Sequence, residues 1–230
     1  MNKLKPINRV AVVDDDDDAA MTIIHTLEDA GFQPYRVLGA ADIPALVATI
    51  VANSDAAVCD HRLRYGGFAD ITGAELAAAL VERDHPTILV TQYLDQYADI
   101  AIRSFRSNLP VVLRREDADE PEELRLAFAR CELELTQGKI NERKLQKTLL
   151  EVKDVSDVGD VTVIDAIVNG WNPKDTVRFP MSLVRSEDRQ RVVPSTILSG
   201  FSNVSTDAKV DLYFERVEIA PEPDDDDGLQ

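Results

Sequence analysis

Val10-Ala11-Val12-Val13-Asp14-Asp15-Asp16-Asp17-Asp18 decides the fold of the first half of this chain. A short apolar run of this kind suits a strand buried on both faces. It ends in consecutive carboxylates, which places uncompensated negative charge at the carboxyl edge of a sheet. Like charges that close repel unless a cation sits among them. A hard divalent ion such as Mg2+ suits the place, because it prefers oxygen ligands and needs only one or two carboxylates. A solvated acidic loop is the plainer alternative, and the strands that follow decide between the two.

Working outward, strand and helix signals alternate from residue 9 to about residue 118. Predicted strands cover 9–13, 34–38, 56–59, 87–90 and 109–113. Predicted helices cover 19–30, 43–52, 73–83 and 97–104, the first on Met21, Ile24, Leu27 and Ala30 and stopping at Gly31. Five apolar strands separated by helices predict an α/β fold: a parallel sheet with helices on both faces and ligands beyond the carboxyl ends of the strands. Those ends carry Asp14 and Asp15, Asp60, Thr91 and Arg114, all expected at one edge.

This set suits phosphoryl transfer to a carboxylate. Asp60 would be the nucleophile and phosphoacceptor, forming an acyl phosphate. Asp14 and Asp15 would hold Mg2+ with Asp60, and the backbone carbonyl of Arg62 could complete the coordination. Thr91 and Arg114 would each meet a phosphoryl oxygen. A hydrolase with an aspartyl nucleophile needs a second acid two residues on, where Arg62 stands.

Val-Val-Asp-Asp (12–15), Val-Cys-Asp-His-Arg-Leu (58–63), Gly73-Ala74-Glu75-Leu76, Ile-Leu-Val-Thr (88–91) and Val-Val-Leu-Arg (111–114) together resemble the receiver domain of two-component response regulators. The resemblance covers residues 8 to about 130. It implies a doubly wound, flavodoxin-like sheet in the order 2-1-3-4-5. It also implies Mg2+-dependent transfer from the phosphohistidine of a histidine kinase or phosphotransfer protein to Asp60, in a bacterial, cytoplasmic signalling protein that is not itself an enzyme. The chain departs from the family at several points. Arg114 stands for a lysine, Gln92 for a small residue, Val111 for the switch aromatic and Arg115 for a proline. The loop after Asp60 is longer, Arg64 to Asp70 with Gly66-Gly67. These departures keep a second expectation open, a pseudo-receiver adaptor or scaffold that is never phosphorylated.

The remaining residues are less specific. Residues 121 to about 152 read as one long helix, with Leu124, Phe128, Cys131 and Leu135 resumed by Leu145, Leu149 and Val152. Its second half is either a coiled-coil-like connector, capable of joining two copies in a homodimer, or an amphipathic helix folded back on its own domain. After Ser156 strand-like stretches at 161–168, 176–184, 189–193 and 208–219 predict a small all-β barrel-like module, with Trp171 either plugging its core or anchoring a partner. Its expected role is to bind a protein target. The expected division is a receiver domain 1–120, connector 121–153, β domain 154–220 and a disordered acidic tail 221–230.

The net charge of −17 over 230 residues argues against nonspecific binding to nucleic acid or an anionic membrane. No apolar run is long enough to span a bilayer, and Met1 to Asn8 is too polar for a signal peptide. Cys59 and Cys131 read as packed, reduced thiols, in keeping with the cytoplasm. His25, His61 and His85 lack zinc-ligand spacing, and His61 is expected in an exposed loop.

Overall fold

The computed structural model describes residues 5–39, 42–63, 68, 71–92 and 98–221. The chain divides into two compact units, Met1–Ile140 and Asn141–Gln230. No described helix is long and apolar enough to cross a membrane.

The first unit carries strands β1 (Arg9–Val13), β2 (Gln33–Arg36), β3 (Ala56–Asp60), β4 (Arg62–Leu63), β5 (Ile71–Thr72), β6 (Thr87–Thr91) and β7 (Val111–Arg114). Its helices are α1 (Asp17–Asp29), α2 (Ile43–Asn53), α3 (Gly73–Val81), α4 (Ala98–Arg103), α5 (Arg115–Ala118) and α6 (Pro121–Gln137). The main sheet is parallel in the order β2-β1-β3-β6-β7, the doubly wound arrangement expected.

Alternation along each strand builds two apolar layers. Val10 and Val12 of β1, Ala56 and Val58 of β3 and Ile88 and Val90 of β6 pack with Ile23 and Leu27 of α1 and Phe128 and Cys131 of α6. Ala11 and Val13, Ala57 and Cys59, and Leu89 face the other way, onto Leu46 and Ile50 of α2 and Leu76 and Leu80 of α3. Burial on both faces is why these strands read as continuous apolar runs. Asp16, Asp42 and Thr72 cap α1, α2 and α3, each side chain accepting a backbone N–H in the first turn.

The predicted long connector does not form. Helix α6 stops at Gln137, and Gly138 follows at φ +85°, a region where only glycine is unstrained. From Gln146 the chain is strand, with Leu150 and Val152 buried and Leu149 and Glu151 exposed. The adjacent pair Leu149-Leu150 allowed a helical period where the true period is two. The coiled-coil seam and the boundaries at 120 and 153 are corrected accordingly.

The second unit is a five-stranded antiparallel sheet of β8 (Gln146–Val158), β9 (Val161–Val168), β10 (Thr176–Pro180), β11 (Ile197–Ser202) and β12 (Phe214–Ile219). The order is β10-β9-β8-β11-β12. A bridge from Val184 to Val217 brings the two edges together around one apolar core. Trp171 packs against that core and donates its indole N–H to the Thr206 carbonyl at 2.8 Å. Met181–Leu183, Arg189–Arg191 and Lys209–Asp211 are 3-10 turns within stretches expected as strand, and β11 falls where no strand was expected. The tail from residue 222 lies outside the described residues.

Asn203, fully buried, ties the start of this unit to its end. Its amide donates to the carbonyls of Glu142 and Asp211, both at 3.1 Å, and its oxygen accepts the Tyr213 N–H at 2.8 Å. Tyr213 in turn donates its hydroxyl to the Arg143 carbonyl. Asn203→Ala strands buried groups and is expected to cost roughly 2–4 kcal/mol. Urea unfolding followed by fluorescence of Trp171, the sole tryptophan, measures it, and a loss under about 0.5 kcal/mol contradicts this account.

Candidate functional site

Three of the predicted strand ends meet. Asp14, Asp15 and Asp60 each offer a carboxylate oxygen, and these oxygens lie within 4.8 Å of one another. They line a cavity of about 380 Å³ with Thr91, Gln92, Arg62 and Arg115 among its walls. Asp14 is 3 % exposed and Thr91 1 %.

Local rules place each group. Asp14 and Asp15 directly follow β1. The Asp16 N–H turns back onto Asp14 Oδ1 at 3.0 Å while the Asp16 side chain caps α1 through Ala19. Asp60 closes β3, and the Arg62 N–H donates to its Oδ2 at 2.7 Å. Just beyond, the His61 N–H donates to Val90 and the His61 carbonyl accepts the Gly73 N–H, both at 2.9 Å. Glycine is required at 73, since a Cβ there would lie 1.7 Å from the Asp60 carbonyl oxygen. His61 itself is buried rather than exposed, because the short β4–β5 hairpin continues the chain where a loop was expected.

The cation differs from expectation. Arg114 is the last residue of β7 and is exposed. Arg115, the first residue of α5, reaches the site. Its Nη2 donates to Asp14 Oδ2 at 2.8 Å and to Asp60 Oδ1 at 2.6 Å. Its side chain is 20 % exposed. Arg115 rather than Arg114 is therefore the cation at this strand end. The motif pattern ends the strand on either of two adjacent arginines, so sequence alone could not choose. Gly66 and Gly67 lie outside the described residues.

Electrostatics follow from burial and pairing. Burial first, and the Asp14 charge second, push the Asp60 carboxyl up to about 6; Arg115 and the Arg62 N–H pull the other way and do not cancel them. Burial pulls Arg115 down, but its hydrogen bonds and charge pairing with Asp14 and Asp60 outweigh it and hold it above the usual range. Cys59 is raised far out of reach by burial and then by Asp60, so it is an inert core thiol. Oxygen donors alone, three carboxylates against one guanidinium, fit a hard cation such as Mg2+.

Two outcomes follow. A carboxyl raised in the folded state costs stability when ionised. The cost is complete above pH 6, shrinks as pH falls through 6, and is gone below the ordinary value near 3.8. Asp60→Asn in chelator is therefore expected to stabilise the first unit at pH 8, by at most about 3 kcal/mol, with the gain vanishing near pH 4. Denaturation followed at the helical circular-dichroism band reads this, because every described α-helix lies in that unit. Gly73→Ala must displace backbone at Asp60 and is expected to destabilise the same unit by about 1–3 kcal/mol; an unchanged melt refutes the close approach.

No family model matches this chain, and no curated protein matches it. Among solved structures it is similar to a response regulator receiver domain protein from Clostridium thermocellum, with 15% identity, 54% of this chain and 94% of that one covered, and a TM-score of 0.43. A putative response regulator from Chloroflexus aurantiacus shows 28% identity over 56% of this chain and 98% of its own, TM-score 0.42. A CheY-like receiver domain from Methylobacillus flagellatus shows 21% identity over 53% and 98%, TM-score 0.40. The likeness takes in little more than half of the chain. The first unit is thus similar to response-regulator receiver domains, and the second is a separate antiparallel sheet.

Proposed function

We propose that this chain is a response-regulator-like signalling protein in which Asp60 accepts a phosphoryl group from the phosphohistidine of a histidine kinase or phosphotransfer protein. The observation that carries it is the meeting of Asp14, Asp15, Asp60, Thr91 and Arg115 at one edge of a doubly wound sheet. One Asp60 oxygen bonds to phosphorus as the phosphorus–nitrogen bond breaks, and the imidazole leaves with a proton. Arg115 holds the Asp60 carboxylate until a cation takes its place, and Thr91 stands in the cavity wall where a phosphoryl oxygen would meet it. Mg2+, held by Asp14, Asp15 and Asp60, would neutralise the phosphoryl oxygens. The second unit acts as the output, binding a protein target in the cytoplasm.

A pseudo-receiver scaffold is the second reading. It is favoured by one observation, the guanidinium already bridging Asp14 and Asp60. Incubation with acetyl phosphate and Mg2+, followed by intact-mass measurement, separates the two. The expected outcome is one added phosphoryl group, absent in Asp60→Asn and after chelation. No mass change at pH 8, where Asp60 is ionised, supports the scaffold instead.

A further inference from the structure

We infer that Arg115 is the resident counter-ion of this pocket and that it competes with a divalent cation for Asp14 and Asp60, so that its displacement sets the metal affinity of the site. The inference rests on the proposed reading only in placing a cation here.

All four oxygens of Asp14 and Asp60 already hold a donor. Asp14 Oδ1 accepts the Asp16 N–H at 3.0 Å, and Asp60 Oδ2 accepts the Arg62 N–H at 2.7 Å. The other two oxygens share one nitrogen, Arg115 Nη2, at 2.8 and 2.6 Å. The two backbone donors are fixed by the start of α1 and by the β4–β5 hairpin, and they cannot leave without unmaking those elements. Arg115 is the movable donor. It stands on the first residue of a four-residue helix, on a side chain with several rotatable bonds.

Its geometry is also lopsided. Nη2 serves two carboxylates, while Nη1 is buried with no hydrogen-bond partner among the described residues. A guanidinium usually uses its planar fork on two acceptors. Here the fork is half used, so turning it off the shared edge forfeits one nitrogen's contacts and frees the other's. A dication that takes Asp14 Oδ2 and Asp60 Oδ1 must claim the two oxygens that Nη2 now holds. Two cations cannot occupy that edge together. Three carboxylates against one guanidinium leave a formal charge of −2; a dication in place of the guanidinium lowers it to −1.

Mn2+ binding to the full chain, measured as loss of the free-ion signal in electron paramagnetic resonance, tests the inference without any turnover. Arg115→Gln is expected to bind Mn2+ at least about tenfold more tightly than the native chain, as removal of a unit charge beside the ligands requires. Arg114→Gln, on the exposed neighbour, is expected to match the native chain. Equal or weaker binding by Arg115→Gln overturns the inference. If Arg115→Gln proves unfolded by circular dichroism, the native chain is titrated with Mg2+ while its arginine side-chain NMR signals are followed. The Arg115 signal is then expected to move in step with cation binding, and binding with an unmoved Arg115 signal overturns the inference. Tighter Mn2+ binding without phosphorylation by acetyl phosphate upholds the inference and sinks the proposed function; the reverse pattern does the opposite.

Discussion

Burying carboxylates beside one another requires a counter-charge, and the first unit is organised around that requirement. Two strand ends, those of β1 and β3, deliver Asp14, Asp15 and Asp60 to one cavity. Helix caps, backbone N–H groups and one guanidinium then share the compensation. It is incomplete, since Asp60 remains harder to ionise than a solvated aspartate. Charge that the protein leaves uncompensated is capacity for a ligand of opposite sign.

Much of this was legible in the sequence because both sheet faces are covered. Residues such as Val10 to Val13 and Ala56 to Cys59 are apolar without a break, so strand and helix separate cleanly. The carboxyl edge then followed from strand direction alone. The choice between Arg114 and Arg115 did not. It turns on whether the last residue belongs to the strand or to the helix after it, a boundary of one residue that periodicity does not resolve. The close approach at Gly73 was also hidden, because it depends on the path of the backbone past Asp60 rather than on any side chain.

The second unit was less legible for a different reason. Its strands have one covered face, and Leu149 breaks the alternation on the exposed one. A heptad-like spacing then extended a real helix across Gly138 into a real strand. No strand was expected at β11, whose Gly200 lies against the backbone of Glu215 and Val217, where a side chain would crowd β12. Small residues at close approaches and small residues in turns look alike in one dimension.

The bridge from Arg115 joins residues far apart along the chain, 55 positions from Asp60 and 101 from Asp14. It can close only after β1, β3, β6 and β7 have found their neighbours. Until then the carboxylates repel with nothing between them. Assembly of the sheet's edge therefore runs against an electrostatic barrier that the finished molecule shows only in part, and dissolved salt lowers that barrier by screening it.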